Sequence, residues 1–353
     1  MRKKFYIAIA FLVCIGTVMI ACQTKRPPNN ATNISEPVLT TFPLTPVAQE
    51  TVTMQTNVHL MELKGSKGPI YSLAWSPDGT MLASAGFARI RIWDAKSFQE
   101  VRSLEDPQSF VWGLAWLPDS SGLAAVSQDG LWLWSDINDK VVKKLDDNAY
   151  LCVSWSPDQI SLATGAPSGT FSIWDANRVQ RVKTFDETSA IIAIGWSPNG
   201  DRVAAGYQNG QIHLYRMSSW EEIDVSTLNS QMGQDVNGLA WSPDGSLLAA
   251  ARQNGTVLVW DSNADKILFV LEGHKGWARG LAWSPDGKQL ASVGQDGILK
   301  IWSSETGELT HDQKMASDPL WSVTWSPDGG HVAVGTGIYN NRNAESSILI
   351  WSR

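Results

Sequence analysis

Six aspartates, Asp78, Asp119, Asp158, Asp244, Asp286 and Asp328, recur in one local setting, each directly after a proline. Carboxylates do acid–base work when they converge within hydrogen-bond reach of a substrate proton. These are spread along the chain in Ser-Pro-Asp or Leu-Pro-Asp turns, so turn chemistry accounts for them and no pair is expected to converge. The five histidines, His59, His213, His274, His311 and His331, are scattered, and no two have metal-ligand spacing. The glycines fall in turns, not in a phosphate-cradling loop. Cys152 lies in an apolar run with no histidine nearby, which fits a small buried side chain better than a nucleophile. No catalytic, metal or cofactor site is therefore expected, and the chain reads as a non-enzyme. A net charge of −7 and an isoelectric point near 5.3 give no basic footprint for nucleic acid.

Any site must be positioned by a repeat. Its clearest copy runs from Gly273 to Ser303: an apolar run into the turn Ser284-Pro285-Asp286-Gly287, a second run, the turn Gln295-Asp296-Gly297, and a third run ending at Trp302. Proline presets φ and glycine accepts positive φ, so both punctuations make tight hairpin turns. The tryptophan closing the first run recurs as Trp75, Trp116, Trp155, Trp196, Trp241, Trp283 and Trp325, at spacings of 39 to 45 residues. The third run closes on Trp93, Trp134, Trp174, Tyr215, Trp260, Trp302 and Trp351, so 13 of the 18 tryptophans lie in register. Seven such copies predict an all-β, seven-bladed propeller of four-stranded antiparallel blades. The last copy stops after its third strand, while a strand beginning at Val58 precedes the first copy. That strand is expected to complete the seventh blade beside Ile348–Trp351, closing the ring and removing sheet edges.

These residues resemble the WD-repeat family, in the pairs Trp93-Asp94, Trp174-Asp175 and Trp260-Asp261 and in Gly273-His274 opening the sixth copy. The resemblance covers residues 58–353. It implies a structural hydrogen-bond tetrad of His274, Ser292, Asp296 and Trp302 in that copy alone. It also implies that residues at the entry of the first strand contact partners.

Three segments are expected. Residues 1–22 have a basic start (Arg2, Lys3, Lys4) and an apolar stretch (Phe5 to Ile20), the pattern of a secretory signal. Met19-Ile20-Ala21-Cys22 resembles a bacterial lipobox, which implies lipidation at Cys22 and attachment to the extracytoplasmic side of a bacterial membrane; an ordinary signal or an uncleaved anchor is the alternative. Residues 23–57, rich in Thr, Pro, Asn and Gln, read as a disordered tether. Residues 58–353 form the propeller, expected to be monomeric.

The repeat also shows what stands outside it. Trp112, Trp132, Trp220, Trp277 and Trp321 are out of register. Tyr71, Trp112 and Trp321 stand four residues before a repeat tryptophan, and Phe110 and Trp277 six before. They belong to copies six, seven, one and two, consecutive around a closed ring, so an arc of aromatics with Arg279 beside it is expected on one face. Gln128, Gln208, Gln253 and Gln295 share one turn offset on that face, with Phe87 and Pro167 in the first and third copies. A longer loop in copy seven, with Tyr339 and Arg342, is expected to hang over the arc. The expected function is a scaffold binding a protein or peptide there; a propeller stacking a carbohydrate or cell-wall fragment on Trp112, Trp277 and Trp321 is the alternative. The bland reading is that these aromatics merely pack on the neighbouring blade.

Overall fold

The computed structural model describes residues 59–352 apart from Asp106, 139–141, 230–233 and Asn340. The expected signal, the lipidation site Cys22, the tether and Val58 lie outside the described residues. No helix among the described residues is long and apolar enough to cross a membrane.

Seven four-stranded antiparallel sheets form the propeller. In the sixth, Ala278–Trp283 pairs with Gln289–Gly294, then Ile298–Ser303, then Leu309–Lys314. The second strands are covered on both faces: Leu123 to Val126 are fully buried, as are Ala249 to Ala251. Alternating leucine and alanine lets adjacent blades close to contact distance. The outer strand Leu309–Lys314 is exposed throughout, which matches its charge.

The repeat tryptophan is a staple between blades. Trp116 Nε1 donates to Ala74 O (2.9 Å), Trp155 to Ala115 O (3.1 Å), Trp241 to Gly195 O (3.1 Å), Trp283 to Ala240 O (3.0 Å) and Trp325 to Ala282 O (3.1 Å). Each acceptor lies on the first strand of the preceding blade. Trp75 and Trp196 occupy the same place, yet their buried Nε1 atoms have no hydrogen-bond partner in the protein.

The proline turns consume the aspartates. Ser284 Oγ donates to Asp286 Oδ1 (2.6 Å) and accepts Gln289 N–H (2.9 Å), while Asp286 Oδ1 accepts Lys288 N–H (3.0 Å). The arrangement repeats around Asp78, Asp158, Asp244 and Asp328. The fourth position of this turn has positive φ, which glycine takes in five copies; Ser120 (φ 66°) and Gln159 (φ 64°) take it in the other two.

The ring closes as expected. His59–Lys67 pairs antiparallel with Glu345–Ser352, setting Leu60 opposite Trp351 and Leu63 opposite Ile348. The register slips between Leu63 and Ser66, where Gly65 adopts φ 102°. Two outer strands are short. The outer strand of copy two is Lys143–Asp146. In copy four it is only Glu221–Ile223, and the 45-residue spacing there accommodates a short helix, Ser226–Asn229, whose Asn229 bonds both backbone groups of Ile212 (2.8 and 2.9 Å).

Candidate functional site

The residue four before each repeat tryptophan sits at a special backbone position. In five blades the ladder slips across it: between Val111 and Gly113, Ile191 and Ala193, Val236 and Gly238, Ala278 and Gly280, and Leu320 and Ser322. Trp112, Ile192, Asn237, Arg279 and Trp321 are therefore the extra residues of β-bulges. A bulge turns its side chain off the ladder and re-aims it. Each is gripped by a fully buried apolar residue before it and a small residue after it. A Cβ on Gly238 would come within 2.5 Å of Arg279 O, so the small residue admits the neighbouring blade's bulge. Tyr71 and Leu151 hold the same offset just ahead of their strands. Seven half-buried side chains thus ring the axis, large on blades six, seven, one and two and smaller on three, four and five.

The large ones touch in ring order. Arg279 Cζ lies 3.6 Å from the ring centroid of Trp321 and 4.9 Å from that of Trp277. Trp321 meets Tyr71 edge-on at 4.9 Å, and Tyr71 meets Trp112 at 4.5 Å. Phe110 continues the chain at 5.5 Å from Trp112, and Phe87 ends it at 4.9 Å from Phe110. The copy-seven loop meets the arc at two points: exposed Tyr339 stacks on Trp321 in its middle at 5.7 Å, and Arg342 stands over Phe87 at one end at 5.7 Å. Trp321 is fixed by donating Nε1–H to Gly337 O (2.7 Å). Burial lowers the Arg279 guanidinium to about 10, still charged at neutral pH, and burial raises the Tyr71 phenol.

The glutamines share a turn but do not gather. Each backbone N–H bonds the carbonyl of the residue six before the repeat tryptophan: Gln128 to Phe110, Gln208 to Ala190, Gln253 to Asp235 and Gln295 to Trp277. Gln295 Oε1 also accepts Trp277 N–H (3.5 Å). Gln208 and Gln253 belong to blades four and five, away from the arc. Phe87 shares this turn in copy one, and its place at the end of the arc was not assigned from sequence; the clue was an aromatic where other copies carry glutamine. Among the other out-of-register tryptophans, Trp132 donates to Ser127 Oγ (3.2 Å) and Trp220 packs on the blade-four core.

In blade six His274 Nδ1 is 3.1 Å from both Asp296 carboxylate oxygens, His274 Nε2 is 2.9 Å from Ser292 Oγ, and Trp302 Nε1 is 2.8 Å from the same hydroxyl. These four groups satisfy one another in a buried place. Burial pushes the Asp296 carboxyl up, but bonds from His274 and from Lys275 N–H outweigh it and leave it below the ordinary range. Blade one keeps only half of this device: Trp93 Nε1 donates to Ser84 Oγ (3.0 Å), and Gly65-Ser66 replaces Gly273-His274. A cavity of about 250 Å³ opens there, lined by Ser66, Ser84, Phe87, Arg89 and Arg91 among others. Cys152 is buried, its thiol raised by desolvation. No group of three or more metal-ligating side chains occurs among the described residues.

Segments 57–94, 98–134, 140–175 and 265–303 match the family model of the WD domain, G-beta repeat. The chain carries WD repeats. Each matched segment takes in the outer strand of one blade and ends on the third strand of the next, so each matched repeat bridges two blades. Residues 194–277 also match the model of the Anaphase-promoting complex subunit 4 WD40 domain. The propeller is similar to the B-type cell cycle switch protein ccs52A of Medicago truncatula, 29% identical over 37% of this chain and 28% of that protein. Protein FIZZY-RELATED 2 of Arabidopsis thaliana is 29% identical over 38% and 29% of the two chains. The Intraflagellar transport protein 122 homolog of Danio rerio is 23% identical over 44% and 13%. The matches thus span less than a third of these relatives' own length.

Proposed function

We propose that this WD-repeat propeller is a non-catalytic scaffold that docks a protein or peptide on the face carrying the arc, and that a lipid on Cys22 holds it at the extracytoplasmic side of a bacterial membrane. The observation that carries the docking reading is the contact chain from Trp277 through Arg279, Trp321, Tyr71, Trp112 and Phe110 to Phe87, built across four consecutive blades around the residue four before each repeat tryptophan. The fold has no need of it: the equivalent positions of blades three to five carry Leu151, Ile192 and Asn237. A contiguous, partly exposed aromatic patch is the kind of surface from which a few side chains supply most of a binding energy. One plant relative is named as a cell cycle switch protein, which agrees with a role played through other proteins.

The test is photo-cross-linking in the native cell from a probe at Tyr339, with and without the Trp112→Ala/Trp321→Ala pair. Capture that depends on both tryptophans supports the reading, and capture indifferent to them places the site elsewhere. Binding on a glycan array that the pair abolishes would instead favour the carbohydrate alternative. For the anchor, Cys22→Ser should release the protein from membranes, and retention would refute lipidation there.

A further inference from the structure

The middle of the arc is polar. Arg279 is held between the indoles of Trp277 and Trp321, and its buried Nε has no hydrogen-bond partner in the protein. The hydroxyl of Tyr71 is likewise buried without a partner. The two groups lie close enough for their charges to interact, together with the Tyr339 phenol, and among the described residues no carboxylate pairs with Arg279. Two other desolvated cations each have a carboxylate: Lys300 reaches Asp312 at 2.8 Å and Arg91 reaches Glu100 at 3.1 Å. Buried charges are costly unless paired, so a site that leaves one unmatched at a half-open mouth has its counter-charge outside the chain.

We infer that the arc receives an acidic side chain of a protein partner, an aspartate or glutamate whose carboxylate docks on Arg279 with the Tyr71 hydroxyl as second donor. This rests on the docking reading above. A planar guanidinium matches a carboxylate in a two-pronged geometry, and in a desolvated pocket the pairing is stronger than in water. A cationic ligand is disfavoured because the faces of Trp277 and Trp321 are already taken by Arg279, and Arg342 adds a second positive charge at the far end. Apolar residues flanking the acid would rest on Trp112 and Tyr339.

The probe is a library of random linear nonapeptides panned on the full-length protein. Enriched peptides are expected to carry an acidic residue beside apolar ones. For such a peptide, Arg279→Gln should weaken binding roughly 10- to 100-fold, since a hydrogen-bonded charge is being removed. Replacing the peptide's acid by its amide should cost the same, and should cost little more once Arg279→Gln is present. Tyr71→Phe, which removes one oxygen and keeps the ring, should weaken binding several-fold. Peptides that need Trp112 and Trp321 but carry no acid and ignore Arg279→Gln overturn the acidic anchor while leaving the docking face standing. Failure to enrich any peptide, or enrichment that Trp112→Ala and Trp321→Ala leave untouched, removes the docking face and this inference with it.

Discussion

Replacing Trp283 by phenylalanine and, separately, Trp75 by phenylalanine asks whether the repeat tryptophan acts by filling space or by stapling blades. Both indoles are 8% exposed and occupy the same repeat position. Trp283 donates to Ala240 O of the preceding blade at 3.0 Å, whereas Trp75 Nε1 is buried without a partner. Phenylalanine removes a similar amount of ring from both sites, roughly 1 kcal/mol of apolar burial. At Trp283 it also deletes a hydrogen bond, worth about 0.5–1.5 kcal/mol net. At Trp75 it deletes an unsatisfied donor, which returns about 1–3 kcal/mol. Trp283→Phe should therefore be less stable than Trp75→Phe by about 2 kcal/mol or more. That corresponds to about 4 °C or more in Tm at the 2–4 °C per kcal/mol of domains approaching this size. Urea unfolding of both variants against the parent measures it, with an unchanged m-value as the control that only stability has moved. Equal losses at the two positions would show that the indole N–H contributes nothing and that the staple is only a shape.

Asp296→Asn should cost about 1–3 kcal/mol at neutral pH, because it leaves His274 without its carboxylate. The folded carboxyl is lowered, so its contribution is full above the unfolded value near 4 and fades as the pH falls through the folded one. The Tm gap between variant and parent should accordingly narrow below about pH 4, and a gap that is constant down to pH 2 refutes the linkage. Gln159→Gly should stabilise by about 0.5 kcal/mol, since a left-handed backbone is costly for any side chain there; the same change at Ser120 should gain nothing, because Ser120 Oγ accepts Asp78 N–H at 3.0 Å. Matching thermal shifts for the two glycines would refute that distinction. Cys152 should take up iodoacetamide only after denaturation, as burial disfavours its thiolate; peptide mapping that finds it alkylated in the native protein would contradict its placement.

The wheel was legible in the sequence because its register is written in large residues. Trp75 through Trp325 mark one strand, Trp93 through Trp351 another, and the strand left over at Val58 has only one place to go. The arc was half legible. Tyr71, Trp112 and Trp321 stand out because they break a repeat, and the contacts among them follow from ring order. The bulge that aims Trp112 and Trp321 was not read, because strict alternation hides it: a bulge adds one residue without changing composition. Its trace is a triplet of apolar anchor, variable residue and small residue, as in Val111-Trp112-Gly113 and Ala278-Arg279-Gly280. Equal offsets put the glutamines on one face, but blade rotation carries Gln208 and Gln253 to the side of the ring that lacks the arc.

The same contrast links the tetrad to the site. His274 lies three residues before Trp277, on the loop that enters the first strand of blade six. Asp296 holds that loop twice, through the His274 ring and through Lys275 N–H at 2.9 Å, and its neighbour Gln295 accepts Trp277 N–H at 3.5 Å. Trp277 in turn covers one face of Arg279. The complete tetrad thus occurs in the blade whose entry loop must hold an unpaired cation between two indoles. Blade one supports its own aromatic, Tyr71, by ring contacts to both sides, and does so with the histidine slot opened into a cavity. A ligand contact that depends on one fixed guanidinium requires the stiffer support, whereas rings packed against rings support each other. Loosening the blade-six loop by Asp296→Asn should therefore weaken acidic-peptide binding even though Asp296 touches no part of the arc.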